Sequence, residues 1–227
     1  MKFIEKIKVF RKTFLTPLKP RKSYSQFAED LIIENYLAPK VHEGINGFYV
    51  DVGSHHPRRG SNTLRLYKAG WRGILIDMED SKVLAAKLAR PRDTVVKAAI
   101  SDKDELVTIY SPSTFSTNAT ISSNVISTNQ CFSPVSQVVT EKLIDVLEKH
   151  NCPKDFDFLS LDIEGNDYKA IKGRLLEVFR PKLICVENHE VETSLEDLIC
   201  SKIHKQLVAN NYKLKGISGP STIYLSD

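Results

Sequence analysis

The sequence predicts a doubly wound α/β fold: a mostly parallel sheet with helices on both faces, closed by an antiparallel last pair of strands. Short apolar runs alternate with helical patterns from residue 48 onward, as expected for parallel strands covered on both sides. Acidic residues recur at the ends of those runs, at Asp51, Asp77, Asp162 and Glu187, where open α/β sheets bind their ligands. With 227 residues, 41% of them hydrophobic and 26% charged, the chain is long and apolar enough for one domain with a sizeable core.

Taken in order, Phe3, Ile7, Phe10 and Phe14 repeat at helical spacing in a basic amphipathic segment broken by Pro17 and Pro20. Ser25 is placed to cap a helix carrying Phe27, Leu31, Ile32 and Tyr36. Strands are expected at Phe48–Val52, Gly73–Asp77, Val95–Ile100, Leu106–Tyr110, Phe156–Asp162 and Leu183–Glu187. Helices are expected at Asn62–Ala69, stopped by Gly70, and at Ser81–Arg90, stopped before Pro91. Three more follow: Thr140–His150 capped by Thr140, Asp167–Phe179 ended before Pro181, and Leu195–Asn210. Tyr212–Ile217 and Thr222–Leu225 flank Ser-Gly-Pro-Ser and read as the antiparallel pair. Ser111–Ser136 is different: 12 of its 26 residues are Ser or Thr. Lying after the third strand, so long a loop is expected to be a lid over the strand ends.

The net charge of +4 is unevenly spread. Residues 1–22 carry eight basic residues against Glu5, a net of +7, leaving 24 bases and 27 acids, a net of −3, for residues 23–227. The tail thus stands apart as a segment that can meet anionic lipid or an acidic groove on a partner, or pack on its own domain. The acidic remainder shows no basic stripe with interleaved aromatics, which argues against a nucleic-acid partner. Cys131, Cys152, Cys185 and Cys200 form no C-x-x-C pair or zinc spacing, and Cys185 within an apolar run reads as a buried reduced thiol. Without an apolar stretch of about 18 residues or a signal-peptide pattern, a cytoplasmic or membrane-peripheral location is expected.

The chemistry gathers at the strand ends. Gly53 follows Asp51 at a turn where backbone can approach a ligand, and Asp51 suits a ligand with a cationic group such as the ammonium of a methionine moiety. Only one glycine of the G-x-G-x-x-G fingerprint is present, followed by His55 and His56, so a pyrophosphate cradle and a dehydrogenase are disfavoured. Asp77 ends the second strand and can accept both hydroxyls of a ribose. Asp162 and Glu164 lie two apart on an extended segment and project to one side. Glu187 and His189 end the next strand. This acidic group can supply a general base for a hydroxyl nucleophile, ligands for a divalent cation, or a polar cluster that holds loops.

Six blocks in this order resemble the FkbM family of S-adenosylmethionine-dependent methyltransferases. They are Ser25-Gln26-x-x-Glu29-Asp30, Tyr49-Val-Asp51-Val-Gly53-Ser-His-His-Pro57, Ser61-Asn62-Thr63, Gly70-Trp71-Arg72-Gly73-Ile-Leu-Ile-Asp77, Phe158-Leu-Ser-Leu-Asp162-Ile-Glu164-Gly165 and Pro181-Lys-Leu-Ile-Cys-Val-Glu187. The resemblance spans residues 23 to 226 and implies a seven-stranded Rossmann-like methyltransferase sheet. It also implies S-adenosylmethionine as cofactor and transfer to oxygen, on sugars of glycans or glycosylated small molecules. It places Asp51, Gly53 and Ser54 at the methionine end and Asp77 at the ribose. Asn62 and Thr63 lie behind the cofactor, Met78 and Ala99 beside it, and Gln26 and Asp30 close the N-terminal side. Asp162 or His189 is expected as base, with Glu164 and Glu187 orienting the acceptor or a metal, and His55 and His56 reaching the substrate. Ser54, where the family more often has Ala, and Met78-Glu79 depart from its pattern. Docking to a glycan-assembly complex without catalysis is the competing expectation.

Overall fold

The computed structural model describes residues 3–15, 20–111, 120–121, 132–188 and 194–227. Its main sheet contains β1 (Phe48–Val52), β2 (Arg72–Asp77), β3 (Thr94–Lys97), β7 (Phe158–Leu161), β8 (Leu183–Glu187), β9 (Tyr212–Ser218) and β10 (Ser221–Ser226). The spatial order is β3-β2-β1-β7-β8-β10-β9. All neighbours are parallel except β10, which runs antiparallel to both β8 and β9. Strand order reverses between β1 and β7, so the crevice at their carboxyl ends is the switch point where such sheets bind ligands. A smaller sheet joins β4 (Ala99–Ser101), β6 (Ser133–Lys142) and β5 (Leu106–Ser111), in that order.

Period-two alternation divides the core between the two faces. Val50, Val52, Ile74, Ile76, Leu159, Leu161, Ile184 and Val186 pack on one side with α5 (Leu143–Lys149), α6 (Asp167–Ile171), α7 (Leu175–Val178) and α9 (Lys202–Ala209). Tyr49, Leu75, Phe158, Leu183 and Cys185 face the other side, against Trp71, α2 (Glu29–His42), α3 (Leu64–Lys68) and α4 (Asp80–Ala89). Asp51, Asp77 and Glu187 share the parity of this second set, so the sheet aims their side chains to one face.

Several expected elements differ, each for a local reason. The strand expected at Val95–Ile100 is two, because the chain leaves the main sheet at Ala98 and β4 pairs with β6 instead. Thr140 does not cap a helix. It lies inside β6, where its buried hydroxyl donates to the Lys103 carbonyl at 2.7 Å and accepts from the Glu105 amide at 3.1 Å. The end of the expected lid, from Ser133, is likewise strand, paired with β5. Gly173, at φ +83°, divides the expected Asp167–Phe179 helix into α6 and α7. Ser201 divides the last helix into α8 (Leu195–Cys200) and α9, because its hydroxyl accepts the His204 amide at 3.1 Å and starts a new N-terminus. Ser25 does not hold the N-cap position, since α2 starts at Glu29 after Ala28 at φ 65°, but its hydroxyl accepts the Asp30 amide of the first turn at 3.1 Å. Pro17 lies outside the described residues.

A buried guanidinium ties the layers together beneath the switch point. Arg90, 1% exposed, donates to the Pro57 carbonyl at 2.9 Å, the Tyr49 hydroxyl at 3.2 Å and the Ser61 hydroxyl at 2.8 Å. It also reaches Thr63 Oγ1 at 3.2 Å and lies 3.5 Å from the Asp93 carboxylate. Asp93 in turn accepts from the Tyr49 hydroxyl and the Gly73 amide. Replacing Arg90 by Met leaves several buried acceptors and a carboxylate without their donor. The variant is expected to lose about 3–5 kcal/mol of unfolding free energy in urea titration, and unchanged stability would contradict this role.

Candidate active site

A cavity of about 910 Å³ opens at the carboxyl ends of β1, β2 and β7, within the range of small-molecule sites. Its walls include Gln26, Asp51, Gly53, Ser54, His55, His56, Asn62, Asp77, Met78 and Ala99, together with Asp162, Glu164 and Glu187. The structure therefore brings together most of the residues singled out in the sequence. Two stand elsewhere. Thr63 lies behind the wall and donates to Asp51 Oδ2 at 2.5 Å. Asp30 is withdrawn: its carboxylate accepts from the Ser23 and Ser25 hydroxyls and the Tyr24 amide, and pairs with Arg65 at 3.1 Å. It fastens the N-terminal segment to α3 instead of facing the cavity. His189 lies outside the described residues.

Register explains why the acids converge. Asp51 stands opposite Ser160, and Ser160 opposite Cys185, in one row across β1, β7 and β8. The next row on the same face carries Asp77, Gly53, Asp162 and Glu187, one step past the paired residues of these strands. Gly53 is required there twice over. Its φ is +76°, and a Cβ would stand 1.7 Å from the Asp162 carbonyl oxygen. The amides of Gly53 and Ser54 both donate to the Ile76 carbonyl, at 2.9 and 3.1 Å, which locks the turn.

The electrostatics follow from crowding carboxyls in a place poor in water. Burial pushes the Asp51 carboxyl up to about 6, against the hydrogen bond from Thr63 and the charge of Arg90. Burial raises Asp77 too, although Lys82 and the amides of Glu79 and His55 oppose it. Those amides reach Asp77 at 3.0 and 2.9 Å, one on each oxygen. Glu187 is raised by burial, and it shares a hydrogen bond with Asp162. Two carboxyls can share such a bond only when one keeps a proton. Glu164, in the left-handed region at φ 51°, is pushed up to about 7 by burial and then by the charges of Asp162 and Asp167. His55 is driven down to about 4 by burial and the neighbouring Lys82, so it is neutral at pH 7. His56 accepts the amides of Arg58 and Arg59 on Nδ1, both at 3.1 Å, and shapes the turn.

One feature was missed in the sequence. Asn166, 1% exposed, lines the cavity with neither its amide nitrogen nor its oxygen partnered by protein. An Asn just before a helix reads as a cap, yet it makes no cap bond to α6. Residues 120–121, inside the expected lid, contribute a wall of the cavity. Thr120 bridges to Tyr110 through both backbone groups at 2.9 Å, and its hydroxyl donates to the Glu164 carbonyl at 2.9 Å. Ile121 beside it lines the cavity. The rest of the expected lid, 112–119 and 122–131, lies outside the described residues. Among the described residues, no group of three or more His, Cys, Asp or Glu side chains is arranged to hold a metal ion.

Strand order and the position of the cavity define a doubly wound α/β protein with a cavity at the switch point, where such sheets bind ligands. The methyltransferase FkbM domain matches residues 51–214, and the chain belongs to that family. No curated protein matches the sequence. Among solved structures, an O-methyltransferase from Bacillus cereus in complex with SAH aligns at 12% identity and TM-score 0.47, over 97% of each chain. A TehB-like SAM-dependent methyltransferase from Corynebacterium glutamicum aligns at 9% identity and TM-score 0.45, over 99% of this chain and 96% of that one. Magnesium protoporphyrin IX methyltransferase from Synechocystis with bound SAM aligns at 12% identity and TM-score 0.45, over 98% and 91%.

The raised Glu164 has a consequence for stability. Folding shifts its pKa from an ordinary 4.5 to about 7, so the folded chain holds this proton more tightly than the unfolded one. Stability then falls as pH rises from about 4.5 through 7. Glu164→Gln cannot ionise. Relative to the parent, the variant is expected to be no more stable at pH 4 and more stable above pH 7, by on the order of 3 kcal/mol at most. Urea titrations across that range check it, and a gain that does not change with pH would contradict the assignment.

Proposed function

We propose that the chain transfers a methyl group from S-adenosylmethionine to a hydroxyl oxygen of a sugar, within a glycan or glycosylated small molecule. The observation that carries this reading is the row of carboxyls along one wall of the switch-point cavity. A cationic cofactor suits such a wall. Asp51, turned by Thr63, would take its ammonium group. Asp77 has one backbone amide on each oxygen, leaving lone pairs for two ribose hydroxyls. Met78 and Ala99 would flank the base. The unpartnered donor and acceptor of Asn166 match the edge of an adenine. These groups fit the cofactor without any rearrangement of charge.

The cofactor supplies an electrophilic methyl group on a sulfonium. The remaining work is alignment of the acceptor, exclusion of water and removal of a proton. A sugar hydroxyl is hardly ionised at neutral pH, and Glu164, pushed up to about 7, is suited to take its proton. Asp162 and Glu187, sharing a hydrogen bond, would hold the acceptor oxygen in line. Ile121 and the Thr120 contact to the Glu164 carbonyl would close the cavity over it. No step requires a metal. Family membership and the convergence of Asp51, Asp77, Glu164 and Asn166 on one cavity favour catalysis over a docking role, and a cytoplasmic location accords with these reactants. Among the described residues, no helix is long and apolar enough to cross a membrane.

Calorimetric titration with S-adenosylmethionine, S-adenosylhomocysteine and NAD tests the reading. Micromolar binding of the first two and none of NAD is expected, with Asp162→Ala keeping cofactor affinity within a few-fold while methyl transfer to sugar acceptors is lost. Failure of the parent chain to bind either sulfur ligand would end the methyltransferase reading. Loss of cofactor affinity in Asp162→Ala would place that residue around the cofactor instead.

A further inference from the structure

The helix α1 (Phe3–Phe14) buries none of its residues. Phe3, Ile7, Phe10 and Phe14 follow one another along a single stripe and are 77%, 44%, 57% and 69% exposed. A soluble domain folds such a stripe against itself when it can, and here it is left uncovered. The rings of Phe10 and Phe14 lie 4.8 Å apart and present one apolar patch. On a helical projection, Lys6 and Arg11 border the stripe on opposite sides, with Lys8 and Lys12 farther round. Cations flanking an aromatic stripe are the arrangement of a helix that lies in the plane of a bilayer, rings in the acyl boundary and charges among the headgroups.

We infer that α1 is a docking element for an anionic lipid surface. The charge distribution selects this occupant. The segment 1–22 carries a net of +7 and the remaining residues a net of −3. An anionic surface thus attracts the tail and repels the body, leaving the helix as the point of attachment. Each Lys or Arg close to such a surface strengthens binding by about fivefold, and the uncovered rings add an apolar contribution that salt does not screen. Neither force needs the methyl-transfer site, so this inference stands apart from the proposed reaction.

Flotation of the full chain with phosphatidylcholine vesicles, alone or with about one third phosphatidylglycerol, tests the inference. Binding to the anionic vesicles, weakened by raised salt and absent with neutral ones, is expected. The double variant Phe10→Ser/Phe14→Ser should lose binding by ~10-fold or more, and Lys6→Glu/Arg11→Glu by ~25-fold or more. Because α1 contributes nothing to the core, both variants should keep the parent melting temperature. No binding by the parent chain would overturn the inference, as would equal binding to neutral vesicles or full binding by the Phe variant. Binding only to an acidic protein and not to the vesicles would overturn it as well.

Discussion

The cavity depends on one buried cation. Arg90 joins the end of α4 to the loop between β1 and α3 through the Pro57 carbonyl and the Ser61 and Thr63 hydroxyls, and it also meets the Tyr49 hydroxyl of β1 and the Asp93 carboxylate. That loop carries Gly53 at one end and Thr63 at the other. Without Arg90 its polar groups would be buried and unsatisfied, a cost of a few kcal/mol each. With Arg90 in place, the Thr63 hydroxyl has one direction left to donate, toward Asp51. Guanidinium suits the task because its fixed fork of donors can serve several acceptors at once, whereas an ammonium would be a mobile point charge.

The same design sets stability against chemistry. Asp51, Glu164 and Glu187 are all raised by burial, so each ionised form costs the fold some stability near neutral pH. A structure selected only for stability would have no cause to line one cavity with carboxyls. Lys82 eases this only partly, since its ammonium is taken by Glu79 at 2.5 Å. The left-handed backbone at Glu164 is a further local cost, carried by a turn that Asp167 holds through the Ile163 and Gly165 amides at 3.0 and 3.2 Å.

Much of this was legible in the sequence because it rests on short-range rules. The runs of β1, β2, β7 and β8 sit between turn residues, and acids stand at or next to their ends, so the strands and the acids at the switch point could be named in advance. What was not legible depends on partners distant in sequence. Thr140 reads as a cap until Lys103 and Glu105 are brought beside it. Asp30 reads as a site residue until Arg65 claims it. Ala98 separates two strands that look continuous because β6 recruits the second of them. Asn166 could not be found at all, since the lack of a partner leaves no trace in local spacing.

The central claim is that Asp51, oriented through Thr63 and Arg90, provides the charge that holds the cofactor. Its most direct test is the affinity of Asp51→Asn for S-adenosylhomocysteine, measured by calorimetry beside the parent chain with melting temperature as the control. Asn keeps the shape and can still accept from Thr63 but carries no charge. A loss of ~10-fold or more is expected, as for removal of a buried charge partner, with melting temperature held or raised. Parent-like affinity in a folded Asp51→Asn chain would contradict it and move the cofactor's cationic end elsewhere in the cavity.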